Sequence, residues 1–117
     1  MRIATLKIID RYEETLLRTL ALSAELEQLL TGANDVMKHN ANEGNLDGAI
    51  AAGLVTANHV QETWSQATHD FKQAAYDMTG ENPHPGENDF EFIARLAKMR
   101  AQDLQALSLR NGVVWRA

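Results

Sequence analysis

The sequence contains no cysteine. That excludes a disulfide framework, a thiolate metal site and a thiol nucleophile. Proline occurs twice, at Pro83 and Pro85, both inside the stretch 80–88 (GENPHPGEN). The seven glycines form neither G-x-G-x-x-G nor a P-loop, so no phosphate-cradling loop is expected. There is no G-x-S-x-G, no H-E-x-x-H and no EF-hand loop. Ser23, Ser65 and Ser108 fall within expected helices, with no base suggested beside them. Basic residues are scarce, 11 Lys+Arg against 16 Asp+Glu, for a net charge of −5. That balance argues against a protein that grips nucleic acid electrostatically. Long apolar runs are missing too. The longest stretch without a strongly polar side chain, 49–57, is far short of the roughly 20 residues a bilayer requires. The opening MRIATLKIIDRYEE lacks the apolar core and cleavage site of a signal peptide. The expectation is a soluble, cytoplasmic, non-enzymatic protein without membrane association, cofactor or bound metal.

What is present is an ordinary globular composition, 44% apolar, in 117 residues. That is one domain's worth of chain. Two polar stretches, 39–45 (HNANEGN) and 80–88, divide it into three apolar-periodic regions.

The first region predicts a helix over 10–38, rich in Leu, Glu, Ala and Arg. Ile9, Tyr12, Leu16 and Leu20 share one face. Leu22, Leu26, Leu29, Ala33 and Val36 share another, rotated by about 100°. The pattern implies a bend near Ala21, or two halves packing on different surfaces. Gly32, Asn34 and Asp35 offer a stop within it.

The second region predicts a helix over 46–79, with Asn45 as N-cap and Asp47 in its first turn. Ile50, Ala57, Trp64, Phe71 and Met78 recur every seven residues, and Gly53, Val60, Ala67 and Ala74 follow three later. This a/d repeat marks a core or dimer seam, with Ile50, Ala57, Val60, Trp64, Ala67, Phe71, Ala74 and Met78 as its members.

The third region predicts a helix over 89–111, capped by Asn88 or Asp89 and stopped at Asn111-Gly112. Phe90, Ile93, Leu96, Ala97, Leu104 and Leu107 form its main stripe. Phe92, Met99 and Ala106 form a second, nearly opposite stripe. The apolar tail, 112–117, is expected to dock on the bundle or on another chain.

These elements imply an all-α fold. It is a three-helix up-down-up bundle, or an extended helical hairpin with a long central helix, in a single domain spanning 1–117. The second stripes oversupply apolar surface for one monomer, which implies a homodimer or a stable complex with another protein. Leu22, Leu26, Leu29, Phe92, Met99, Val113, Val114 and Trp115 are the expected partner interface. Tryptophan is a frequent anchor in such surfaces.

Charge is unevenly spread. Residues 39–94 carry Lys72 against nine acids, whereas 95–117 carry five basic side chains against Asp103. The acidic middle suits either a solvated face or a surface for a basic partner. A nucleic-acid contact would rest on Arg95, Lys98, Arg100 and Arg110, and the acidic middle opposes it. The loop 80–88, with Glu81, His84 and Glu87, is either a plain connection or a recognition loop stiffened by its prolines.

Two chemical alternatives come from histidine. His59 and Glu62 share a helix face and are close enough to reach one ion, while His69 lies about 10–15 Å further along. The stretch His69-Asp-Phe-Lys72-Gln-Ala-Ala75 resembles the phosphoacceptor motif of histidine phosphotransfer domains. Lys72, Ala74 and Ala75 match that pattern, and Gln73 replaces its glycine. The resemblance implies a phosphoryl carrier on a helical bundle. The leading expectation is a small regulator or inhibitor of antiactivator type, or an adaptor, acting through protein–protein contact. The alternative is phosphotransfer, or ligand or metal carriage, on the His59–His69 face.

Overall fold

A computed structural model describes residues 1–116. It is mostly helical, with four helices, the two long ones forming a helical hairpin. The order is β1 (Arg2–Ala4), α1 (Leu6–Asn42), α2 (Leu46–Thr79), α3 (Asp89–Ala97), α4 (Ala101–Arg110) and β2 (Val113–Trp115). Among the described residues, no helix is both long and apolar enough to cross a membrane.

The first helix is longer than its expected 10–38. It starts at Leu6, passes Gly32 unbroken and consumes most of the expected loop 39–45. One glycine costs a helix only about 1 kcal/mol, and Gly32 is open to solvent with nothing crowding it. The inward line of α1 explains the two stripes. Tyr12, Thr15, Thr19 and Leu26 are buried. With Leu22, Leu29, Ala33 and Val36 they form one heptad of alternating three- and four-residue steps. Thr15 and Thr19 hide it in the sequence because they are polar. Their hydroxyls donate to the carbonyls of Arg11 and Thr15, at 2.9 and 2.7 Å, and so enter the interior satisfied.

A short turn joins α1 to α2, with Gly44 at φ +79°. The Asn45 side chain accepts from the Gly48 N–H at 3.0 Å, and α2 runs from Leu46 to Thr79, beyond both ends of the heptad Ile50 to Met78. Asn88 caps α3 in the same way, accepting from the Glu91 N–H at 2.8 Å.

The third helix is two helices. The chain leaves the helix at Lys98 and restarts after Arg100, whose N–H is taken by the Asp103 carboxylate at 3.2 Å. The break resolves the two opposed stripes. Phe92, Ile93 and Leu96 turn inward from α3, and Leu104 and Leu107 from α4. Phe90, Ala97 and Ala106 are exposed, and Met99 is half-buried. Within the expected tail 112–117, Val113–Trp115 form a strand, and Ala117 lies outside the described residues. β2 pairs in parallel with β1, Arg2 opposite Val113 and Ala4 opposite Trp115.

Contacts divide the chain into two compact units, each drawing on both long helices. The mixed unit is Met1–Thr19 with Ala67–Ala117, and the hairpin unit is Leu20–Gln66. The mixed unit has an interior of its own, in which the Phe71 ring meets Tyr12 at 5.5 Å and Phe92 at 5.9 Å between centroids.

Two stability tests follow from this packing. Gly80 has φ +71°, and a Cβ there would sit 2.8 Å from the Asn111 Cβ; Gly86 has φ +81° with open space around it. Gly86→Ala therefore meets only the left-handed penalty, about 1 kcal/mol, and Gly80→Ala should lose at least about 2 kcal/mol in urea unfolding. Equal losses would contradict the close approach. The Tyr12 hydroxyl is buried with no hydrogen-bond partner among the described residues, and burial pushes its pKa up to about 12. Tyr12→Phe should raise unfolding free energy by about 1 kcal/mol.

Candidate functional site

The two units differ in how they use apolar and charged side chains. Among the described residues, the mixed unit buries twelve apolar residues, and the hairpin unit buries only Leu26 and Ala49. Yet the hairpin unit exposes eight large ones. Two helices alone cover one stripe of each other and nothing else.

Between these helices lies an open groove of about 660 Å³. Gln28, Leu29, Gly32, Ala33 and Val36 line it from α1, and Ala51, Ala52, Val55 and Thr56 from α2. The small residues leave it shallow between taller neighbours. Leu29 is 41% exposed, Val36 50% and Val55 71%. α2 comes close enough at Gly53 that a Cβ there would meet the Met37 side chain at 3.1 Å.

The heptad seam of α2 is therefore covered unevenly. Phe71, Ala74 and Met78 are buried in the mixed unit, Val60, Trp64 and Ala67 are half-buried, and Ile50 and Ala57 are exposed. The expected interface residues scatter as well. Leu22 is half-buried, Leu26 buried and Leu29 exposed at the groove. Phe92 and Val113 are interior rather than outward-facing, because the break before α4 and the strand pair enclose them. Met99, Val114 and Trp115 are half-buried, and the Trp115 indole N–H is used internally, donating to the Met78 carbonyl at 3.1 Å and the Ser108 hydroxyl at 2.8 Å.

Most of the strong electrostatics in the mixed unit are likewise internal. The Arg95 guanidinium grips Glu87 with two bonds of 2.8 and 2.9 Å and donates to Glu81 at 3.0 Å. Glu81 also accepts from Asn111 at 2.9 Å and meets the His84 ring at 2.9 Å. Burial opposes the Glu81 charge, but the bonds from Asn111, His84 and Arg95 outweigh it and hold its pKa below the ordinary carboxylate range. Hydrogen bonds from Arg95 lower Glu87 to about 2. Two of the three ionisable groups of loop 80–88 thus pin the loop to α3, and only His84 is exposed.

Of the residues in the histidine alternatives, His69, Lys72 and Gln73 line one open depression of about 350 Å³ with Tyr76 and Asn82. His59 and Glu62 are both exposed, and no group of three metal-binding side chains converges among the described residues. His69 is exposed, but Lys72 is paired with Asp89 at 3.1 Å and Gln73 bonds to Asp77 at 3.0 Å. The chain matches no protein-family model, and neither a curated protein nor a solved structure shows significant similarity to it.

The Arg95 cluster sets a pH dependence. Glu81 and Glu87 have folded pKa values below their unfolded ones. Their contribution is present above about pH 4.5 and is lost as pH falls toward about 2. The urea midpoint should drop over that window, and Arg95→Met should drop less steeply. Parallel curves for the two proteins would remove the cluster as the cause.

Proposed function

We propose that this chain is a small, non-enzymatic protein-binding regulator or adaptor that works in the cytoplasm and engages another protein through its hairpin unit. The observation that supports this reading is the mismatch within Leu20–Gln66, two buried apolar residues against eight large exposed ones, three of which, Leu29, Val36 and Val55, line an apolar groove. A surface of that kind gains free energy when a partner removes it from water, about 25 cal/mol per Å² of apolar area. Self-association also covers apolar surface, since two hairpins laid together make a four-helix bundle. Against it stands the hairpin unit's charge, one lysine against six carboxylates, which a second copy would double.

The test is capture from native-host cells with the tagged full chain. Wild type should retain one stoichiometric partner. Val55→Glu should lose it, and Leu17→Glu, at an exposed position of the mixed unit, should keep it. Capture indifferent to Val55, or no partner at all, would count against the reading.

A further inference from the structure

The formal charge of −5 resides in the hairpin unit alone. It carries one lysine, Lys38, against six carboxylates, while the mixed unit balances ten basic against ten acidic side chains. The two units also differ in pairing. Five of the mixed unit's ten carboxylates, Glu14, Asp77, Asp89, Glu81 and Glu87, have cationic partners. All six carboxylates of the hairpin unit are exposed with no ion-pair partner among the described residues, and four of them, Glu25, Asp35, Asp47 and Glu62, neighbour the groove-lining rows.

These four are placed around the groove. Glu25 precedes Leu29 by four residues, Asp35 follows Gly32 by three, Asp47 precedes Ala51 by four, and Glu62 follows Val55 by seven. Each step returns near the same helix face. Lys38 is turned about 150° away from the middle of the groove-lining row of α1, at 100° per residue.

We infer that the groove receives an amphipathic helix of the partner protein, with an apolar stripe flanked by lysine or arginine. This rests on the protein-binding reading and names the partner's chemistry. An open groove along two helices accepts a third through side chains at i, i+3, i+4 and i+7, and Gly32, Ala33, Ala51 and Ala52 leave room for them. Cationic flanks meet the unpaired carboxylates on both rims and steer the approach. A second copy of this chain brings another −5 to the same place, and an anionic lipid surface or nucleic acid repels the rim in the same way.

The experiment uses the full chain and three synthetic 20-residue peptides. One has a leucine stripe with lysine flanks, one is its scrambled isomer, and one has glutamate flanks. The striped cationic peptide should bind at least about tenfold tighter than either control, with affinity falling as salt is added. Ala52→Trp, which fills the groove without changing charge, should abolish the preference. Gly32→Leu does the same at a position where a Cβ meets nothing within 4 Å, and serves if the first variant misfolds. Glu25→Gln with Glu62→Gln should weaken binding and flatten its salt dependence. Equal binding of the isomers, equal binding of the glutamate peptide, or indifference to both groove-filling variants would overturn the inference. So would a dimer of the free chain that the groove-filling variants dissociate. If Val55-dependent capture from cells persists while the peptide arms fail, the protein-binding reading stands and the basic helix falls.

Discussion

The last turn of α2 ends in an apolar interior, where its carbonyls need donors that the helix itself cannot supply. Met78 and Thr79 are fully buried. The donors come from more than thirty residues later, Trp115 to the Met78 carbonyl and Asn111 to that of Thr79, with the Ser108 hydroxyl, bonded to the Leu104 carbonyl at 2.7 Å, lying 3.2 Å from the Met78 carbonyl. Arg2 reaches the Tyr76 carbonyl from the other end of the chain, with its guanidinium over the Tyr76 ring. The break between α3 and α4 follows from this requirement. Phe92 packs on Phe71 and Ser108 lies at Met78. From 71 to 78 α2 advances about 10 Å, whereas an unbroken helix from 92 to 108 would advance about 24 Å. Only a chain that stops and turns satisfies both contacts. Gly112, at φ +77°, then turns the chain so that β2 can lie along β1 and present the Trp115 indole.

Much of this was legible in the sequence, and what was not has identifiable causes. The heptad fixed α2 because its repeat is carried by residues of one chemical kind, and Asn45 and Asn88 capped where capping chemistry expects. The repeat in α1 was masked by Thr15 and Thr19, which count as polar until their hydroxyls are seen bonding to their own helix. The strands are three residues each, too short for alternation to register. Val113, Val114 and Trp115, directly after a glycine, were the available signal. The Arg95 cluster joins positions 81, 87, 95 and 111, and no local spacing announces it.

The groove was the least legible feature. In the sequence the seam of α2 runs without interruption from Ile50 to Met78, and Leu29 and Val36 belong to the same repeat as Tyr12. A heptad states that a stripe is apolar, not how many neighbours cover it. Within the mixed unit, α3, α4 and the strand pair enclose the stripe. Within the hairpin unit each long helix has only the other, so Ile50, Val36 and Val55 keep half or more of their surface. The second apolar faces expected on α1 and the third helix thus have different origins. The third helix resolves its own by breaking, whereas the hairpin unit retains a surplus.

That surplus and the unpaired carboxylates constrain each other. In the free hairpin the acids are exposed, and at physiological salt a Debye length of about 8 Å keeps their mutual repulsion small. Covering the groove changes their surroundings. An apolar helix laid between the rims displaces water, lowers the local dielectric and strengthens every charge interaction there. Against a neutral partner this raises the energy of the rim while the groove gains, so the two terms oppose. Against a cationic partner both act in the same direction. The hydrophobic term alone selects any apolar helix; the rim carboxylates are what make the selection depend on the partner's charge.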